Sequence, residues 1–370
     1  EERAADAGDQ PFLLFEEQSI SFAEMNARAN RVAHAALAAG LRKGDVVALL
    51  MLNRPEFVLV WLGLAKAGIV TALVNTSATG EVLAHALRQV EARALIVGSE
   101  LAASIDTLSL GSLPALLFEQ TEGGTPRSAL GWRDLDAALR EAPESNPDPS
   151  VRAGITMADP LYLIFTSGTT ALPKAARMSH MRFLNAGEVM AGLMEFGSED
   201  VFYCILPLYH GAGGMVVPSV ALATGRPFVL RRKFSRSGFW PDVRRHRITA
   251  FYYIGEIVRY LLSAPPAPDD RDHSLRVMTG AGLKPDVWAA FMERFGVTNI
   301  IEGLGSTEAN YGITNADNRI GSVGRLPYPE ASNIRILKWD VERGEHVRDA
   351  QGSPILARPH EVGELVAEVL

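Results

Sequence analysis

The chain has 370 residues, 47% hydrophobic and 21% charged, and carries a net charge of −7. This is ordinary globular usage with room for two or three compact units, and the acidic balance leaves no nucleic-acid footprint. A single cysteine, Cys204, excludes an internal disulfide and fits a reducing cytoplasm.

Glu1 to Gln10 is acidic and polar and reads as neither a signal nor a transit peptide. Phe12 to Phe15 and Ser19 to Phe22 read as a hairpin. Ser21 caps the next helix, Glu24 completes a capping box, and Gly40 stands where a helix-ending glycine belongs. Val46 to Met51 predicts a buried strand, and Arg54-Pro55-Glu56 opens a second helix that ends near Gly68. Asn53, Arg54, Pro55, Glu56 and Lys66 interrupt the apolar stretch from Val46 to Val74 and argue against a membrane span. Val70 to Val74 (strand), Thr79 to Val90 (helix) and Ala94 to Val97 (strand) continue an alternation that predicts a largely parallel sheet covered by helices. From Gly111 the pattern loosens, and Glu141 to Ser150, with three prolines in ten residues, reads as a surface linker.

Tyr162 to Phe165 is a short apolar strand, followed by Thr166, Ser167, Gly168, Thr169 and Thr170, four hydroxyls around one glycine. Ala171, Leu172, Pro173 and Lys174 come next. Such a loop can aim N–H groups and hydroxyls at a polyphosphate, with the lysine offsetting its charge. It is not the Walker pattern, because no second glycine precedes Lys174. Taken alone it reads first as a polar turn after a buried strand.

Val201 to Leu206 is a strand that delivers His210 into a glycine-rich turn, where a lone histidine is more often a capping or packing residue. Val216 to Ala223 reads as a helix, Pro227 to Leu230 as a strand, Arg231 to Lys233 as a solvated basic turn, and Phe239 to His246 as a helix. Ala250 to Ile254 is a strand leading into a helix through Leu262. Val277 to Leu283 is a strand entering a glycine-rich turn, and Pro285 starts a helix. Asn299 to Ile301 is a strand, with Glu302 to Glu308 expected as the turn after it. Ser332 to Lys338 and Gly363 to Val369 are late strands. Glycine lets a backbone pass close to a flat ring or a phosphate, and a Thr-Glu pair can offer one hydroxyl to phosphate and one carboxylate to Mg²⁺. Together these junctions suit attack on a nucleoside triphosphate, where catalysis is mostly positioning and charge neutralisation.

In order, Thr166-Ser-Gly-Thr-Thr-Ala-Leu-Pro-Lys174, Leu206-Pro-Leu-Tyr-His210 and Gly305-Ser-Thr-Glu308 resemble the phosphate loop, the aromatic/histidine motif and the threonine–glutamate motif of the adenylate-forming superfamily of acyl-CoA synthetases, adenylation domains and luciferases. Asn53-Arg-Pro-Glu-Phe57, Trp61 to Lys66, Arg93 to Glu100 and Tyr253 to Leu262 are similar to its fatty-acid transport protein/very-long-chain acyl-CoA synthetase branch. The resemblance covers nearly the whole chain. It implies an α/β fold, the large N-terminal domain of adenylate-forming enzymes, with mixed, largely parallel sheets packed with helices and late β-strands that start a distorted barrel. The sub-regions expected are 1–150 (α/β), 151–275 (phosphate-loop α/β) and 276–370 (adenine and Mg²⁺ region and start of the barrel). A ribose-binding aspartate, a hinge and a small C-terminal domain with a catalytic lysine belong beyond Leu370 in that family, so the small domain is expected to be absent here.

The implied reaction is ATP-dependent activation of a long- or very-long-chain fatty acid to acyl-AMP and pyrophosphate, then transfer to coenzyme A with release of AMP. ATP, Mg²⁺ and the co-substrate coenzyme A are the implied cofactors, and fatty acid, ATP and coenzyme A the partners. The resemblance also admits peripheral membrane contact, a homodimer, and a cytoplasmic, membrane-associated location. Carried over, Thr166, Ser167, Gly168, Thr169, Thr170 and Lys174 bind the β/γ-phosphates, Thr307 contacts the α-phosphate, Glu308 holds Mg²⁺, and His210 lies near the acyl carboxylate. Lys174, His210, Thr307 and Glu308 are the expected catalytic residues. Gly280, Ala281, Gly282 and Leu283, with Gly303, Leu304, Gly305 and Ser306, complete the nucleotide site. Two departures stand out. Ala171 replaces a glycine, and Leu304 replaces a tyrosine whose stacking on adenine would be worth ~1 kcal/mol more. Two alternatives share these motifs. One is a nucleotide- or acyl-binding module without turnover. The other is a carrier-protein-loading or luciferase-like adenylating enzyme, which should lack the fatty-acid-transport segments.

Overall fold

The computed structural model describes residues 1–106, 108–109, 111, 113–121, 124, 131–166, 172–309, 311–326, 328, 330 and 332–368. Among these, two large sheets carry the fold. The first runs in the order Arg133–Asp134, Leu116–Gln120, Ala94–Gly98, Val46–Leu50, Val70–Leu73, Pro160–Thr166, Lys174–Ser179. Its pairs are parallel except the last, where Pro160–Thr166 turns back antiparallel onto Lys174–Ser179. The second runs Gly312–Asn315, Asn299–Gly305, Val277–Ala281, Ala250–Ile254, Phe202–Cys204, Phe228–Leu230, Pro11–Phe15, Gln18–Ser21. It is parallel inside and antiparallel at both edges. The late strands Glu345–His346, Ile334–Asp340 and Gly363–Ala367 form a third, antiparallel sheet.

Sequence and structure agree where local chemistry is strong. Ser21 accepts the N–H of Glu24 and starts the helix Phe22–Ala38, which ends before Gly40 at φ 91°. Pro55 and Pro285 occupy the first turns of Pro55–Lys66 and Pro285–Phe295. Trp61 packs edge-on against Tyr162 and Phe183, ring centroids 4.9 and 5.5 Å away, and so joins one helix to the strand before the phosphate loop and to the helix after it. Buried rings of this size dominate the apolar contribution to a core. The basic step is ion-paired: Arg231 with Asp242, and Arg232 with Glu16 at 2.8 Å. Among the described residues no helix is long and apolar enough to cross a membrane.

Several elements correct the sequence reading. The strand expected to stop at Ile301 continues to Gly305, because Gly303, Leu304 and Gly305 pair antiparallel with Thr314, Ile313 and Gly312. The turn is therefore confined to the residues after Gly305. The helix expected from Val216 is preceded by a π-helical turn, Gly211–Val216, of the kind found at functional sites. The helix His180–Leu193 was missed. It buries only Phe183 and Gly187 and leaves Met181, Leu184 and Val189 exposed, so its apolar residues do not trace one face. The strands Leu116–Gln120 and Gly312–Asn315 and the helix Leu135–Glu141 are too short to show a period.

Candidate active site

The glycine-rich turn after Val277–Ala281 is held by a buried carboxylate. Glu302, 3% exposed, accepts the N–H of Gly282 at 2.6 Å and that of Leu283 at 3.2 Å, and its second oxygen accepts the Tyr253 hydroxyl. A charge in a core survives only with such partners. Gly280 lies so close to Tyr253 that a Cβ would enter the carbonyl and ring of that residue, and a Cβ on Gly255 would enter the Gly282 carbonyl. Only bare backbone fits at these crossings.

The hairpin Pro160–Thr166/Lys174–Ser179 carries the phosphate-loop candidate at its tip. Thr166 pairs with Lys174 and its hydroxyl donates to the Lys174 carbonyl at 3.4 Å. Ser167, Gly168, Thr169, Thr170 and Ala171 lie outside the described residues. His85 contacts the Pro173 carbonyl at 3.2 Å and ties the far end of the loop to the helix Gly80–Gln89.

His210 is aimed by a residue far away in sequence. Asn53, 6% exposed, donates to the carbonyls of Leu206 at 2.8 Å and Arg231 at 3.1 Å, and accepts the Leu208 N–H at 2.8 Å. This buried amide fixes the segment that ends in His210. The Tyr209 and His210 rings lie 4.5 Å apart, and the walls around the imidazole strip water from it and hold its pKa below the ordinary value.

The turn at Ser306–Ala309 closes through the Ala309 N–H, which donates to the Ser306 carbonyl and hydroxyl, both at 3.2 Å. The Thr166 hydroxyl, the Glu308 backbone amide and the Ser306 hydroxyl hold the Glu308 carboxyl below the usual carboxylate range, with Arg182 adding positive potential. An oxygen-only ligand kept anionic suits Mg²⁺, which takes one or two carboxylates and fills its shell with water and substrate phosphate. Thr166 and Thr307 add hydroxyl oxygens on the same wall.

Two cavities meet here. One of 460 Å³ is lined by Asn75, Ser77, Thr166, Pro173, His210, Ser306, Thr307 and Glu308 among others. The other, of 660 Å³, is lined by Gly280, Ala281, Gly303, Leu304, Gly305 and Tyr311 and also by Ile164, Met178, Met190, Met215 and Val216, among others. His210, Ser306 and Thr307 line both. Among the expected site residues, the structure therefore brings together Thr166, His210, Gly280, Ala281, Gly303, Leu304, Gly305, Ser306, Thr307 and Glu308. Lys174, Gly282 and Leu283 line neither cavity; Lys174 is exposed at the start of its strand, and the other two sit on Glu302. Glu302, Asn53 and Arg182 were not singled out as site residues. A glutamate within Asn299-Ile-Ile-Glu-Gly-Leu-Gly305, next to the glycine turn, was the available signal for the first.

The chain matches the family described as AMP-binding enzyme over residues 1–368. It is 38% identical over 374 residues to long-chain fatty acid transport protein 2 of Rattus norvegicus, covering 100% of this chain and 60% of that protein. It is 36% identical over 370 residues to the medium/long-chain-fatty-acid–CoA ligase FadD6 of Mycobacterium tuberculosis, covering 100% and 59%. The chain thus spans about three fifths of the length of these curated relatives. The anthranilate CoA ligase AuaEII, solved with anthranoyl-AMP, superposes with a TM-score of 0.78 at 25% identity, over 94% of this chain and 66% of that one. ATP-bound MatB from Rhodopseudomonas palustris has the same fold, with a TM-score of 0.80 at 22% identity, over 98% and 68%. With the matching motifs and the shared fold, the chain belongs to the AMP-binding enzyme family, and within it is similar to fatty acid transport proteins and a fatty-acid–CoA ligase over about three fifths of their length.

Proposed function

We propose that this chain carries the adenylation site of a fatty acid–CoA ligase that activates long- or very-long-chain acids. The observation that supports it is the wall shared by the two cavities, where His210, Ser306 and Thr307 stand between a smaller chamber that holds Thr166 and Glu308 and a larger one whose lining includes Gly280, Gly303 and Gly305 and the methionines Met178, Met190 and Met215. A nucleotide placed with its base along Gly280–Ala281 and Gly303–Gly305 would set its α-phosphate at Thr307. The names of two relatives, a long-chain fatty acid transport protein and a medium/long-chain-fatty-acid–CoA ligase, support a lipid acid for the apolar side.

On this reading the acyl carboxylate oxygen attacks the α-phosphorus, the bond to the bridging oxygen breaks, and pyrophosphate leaves. The coenzyme A thiol then attacks the acyl carbonyl, loses its proton, and displaces AMP. Thr307 donates a hydroxyl hydrogen bond to the α-phosphate. His210, kept neutral by its surroundings, donates an N–H to the acyl carboxylate and holds it for attack. Lys174 and the loop from Thr166 steady the β/γ-phosphates. Glu308, with Thr166 and Thr307 near it, would hold Mg²⁺, which when bound neutralises phosphate charge. Positioning and charge compensation of this kind account for most of the acceleration in such transfers. Contact with a membrane surface is the route by which so apolar an acid would reach the site.

Pyrophosphate release from ATP, measured with carboxylates of graded chain length with and without coenzyme A, tests the reading. Release dependent on long-chain acids, with AMP freed only when coenzyme A is added, is expected. Pyrophosphate release indifferent to every carboxylate would sink it.

A further inference from the structure

The helix His180–Leu193 begins at the base of the phosphate-loop hairpin. Ser179 caps it by accepting the Arg182 N–H at 3.2 Å, which fixes the Arg182 backbone in the first turn. The side chain leaves the helix and reaches residues more than a hundred positions away. Its Nη2 donates to the Ala309 carbonyl at 2.7 Å and to the Ser306 carbonyl at 3.4 Å. Those carbonyls stand on either side of Thr307 and Glu308. Arg182 is half-buried and borders the larger cavity, while Glu308 borders the smaller.

We propose that Arg182 is the positioning residue of the Thr307–Glu308 turn: its guanidinium clamps the carbonyls on both sides and locks that turn to the helix behind the phosphate loop. This rests on the reading of Thr307 and Glu308 given above. Among the described residues the turn has few other anchors. It follows the last paired residue, Gly305; the Ala309 N–H closes it onto Ser306, the Ser306 hydroxyl and the Glu308 amide hold the Glu308 carboxyl, and Thr166 alone hydrogen-bonds that carboxyl from another element. Without an outside tether its two side chains would be free to turn away from the wall they share with Thr166 and His210. A guanidinium suits the task because its planar fork can serve two acceptors at fixed angles, which a lysine ammonium does not do. Its charge also favours the ionised form of Glu308, and Glu308 in turn offsets the lowering of the arginine pKa by burial. The hairpin tip reaches the same turn through Thr166 and Glu308. Two ends of one supersecondary unit therefore hold the Thr-Glu pair, so the phosphate loop and the metal ligand are set in one frame.

The test is calorimetric binding of ATP to the full chain, with and without Mg²⁺, for the wild type, Arg182→Ala, Arg182→Lys and Glu308→Gln, alongside thermal unfolding. Arg182→Ala is expected to lose the Mg²⁺-dependent gain in ATP affinity by about tenfold, as the loss of charge-assisted hydrogen bonds implies, while Mg²⁺-free affinity stays within about twofold. Arg182→Lys is expected to fall between the two, at about threefold. If the alanine variant does not fold, the lysine variant carries the test. A wild-type gain in either arginine variant, with the gain lost in Glu308→Gln, overturns the positioning role and leaves the site standing. A wild-type gain in Glu308→Gln overturns the metal role of Glu308 itself, and the proposal falls with it.

Discussion

Glu302 and Gly282 are joined across two neighbouring strands: the buried carboxylate accepts the Gly282 N–H at 2.6 Å, and the same oxygen takes the Leu283 N–H. The glycine turn expected to flank adenine is thereby shaped from behind by a charge. Gly282, at φ 81°, holds a left-handed conformation that frees its N–H to point at that carboxylate.

Glu302→Gln keeps one acceptor oxygen but places an amide where the Tyr253 hydroxyl now donates. We expect a loss of about 2–3 kcal/mol in unfolding free energy, from a weakened buried network and an unsatisfied hydroxyl. ATP affinity should fall as the turn loosens. Urea denaturation and calorimetry check both, and unchanged values in the two would mean that the carboxylate is not what holds the turn.

Much of the fold was legible because caps, prolines and alternating apolar segments are local signals. Ser21, Gly40, Pro55 and Pro285 each announce a boundary in the residues themselves. The motif residues Thr166, His210, Thr307 and Glu308 were likewise visible from type and order. The groups that aim them were not. Asn53 acts on Leu206 and Leu208 from about 150 residues away, and Arg182 on Ser306 and Ala309 from more than 120. Such partners exist only once two sheets are packed, and no local pattern encodes them. The glycine-rich strand Asn299–Gly305 failed for a related reason: its pairing with Gly312–Asn315 overrides the low strand propensity of glycine.

Lys174→Ala removes a charge without touching the hairpin, since Thr166 bonds to the backbone carbonyl of that residue. Stability should stay within about 0.5 kcal/mol, as for an exposed surface change. MgATP affinity should drop by about tenfold if the ammonium meets the β/γ-phosphates. Affinity equal to wild type would mark Lys174 as a solvated residue at a strand start.

Glu308→Gln keeps the shape of the side chain and removes its charge. A higher Mg²⁺ requirement and a large loss of acyl-adenylate formation are expected, since a hard cation is held by anionic oxygen. The neighbours of Glu308 lower its pKa, so in the wild type the carboxylate is ionised throughout the range above the usual ~4.3. The Mg²⁺ requirement should accordingly show no Glu308 titration between about pH 5 and 8. Magnesium titrations of acyl-AMP formation at several pH values decide the matter; a glutamine variant that follows the wild-type curve removes the metal role.

Gly280→Ala tests the crossing at the adenine side of the site. The added Cβ would meet the Tyr253 carbonyl, with ring carbons of that tyrosine at 2.7 and 2.8 Å, and Gly280 pairs with Tyr253 and Glu302 on its two sides. Neither backbone can yield without breaking ladder bonds. We expect a destabilisation of about 2–3 kcal/mol and weaker nucleotide binding, in line with overpacking of a closed core. A variant as stable as wild type in chemical denaturation would show that the two strands can part.

His210 offers a pH signature. Its pKa is lowered by desolvation, so the folded protein takes up its proton at a lower pH than the unfolded chain, whose histidine titrates near ~6.5. Between those two values the unfolded state binds more protons on this residue, so its contribution to stability falls as pH drops through ~6.5 and levels off below the folded pKa; above ~6.5 it is flat. The same shift keeps the imidazole neutral at pH 7, as the proposed role of an N–H donor to the acyl carboxylate requires. NMR titration of the His210 ring should therefore show a midpoint below ~6.5. His210→Ala should remove that transition and reduce adenylation by about 10² if the ring helps to hold the acid for attack. A ring that protonates above the ordinary value would mean that the surroundings favour the cation, and the neutral-donor role would have to be abandoned.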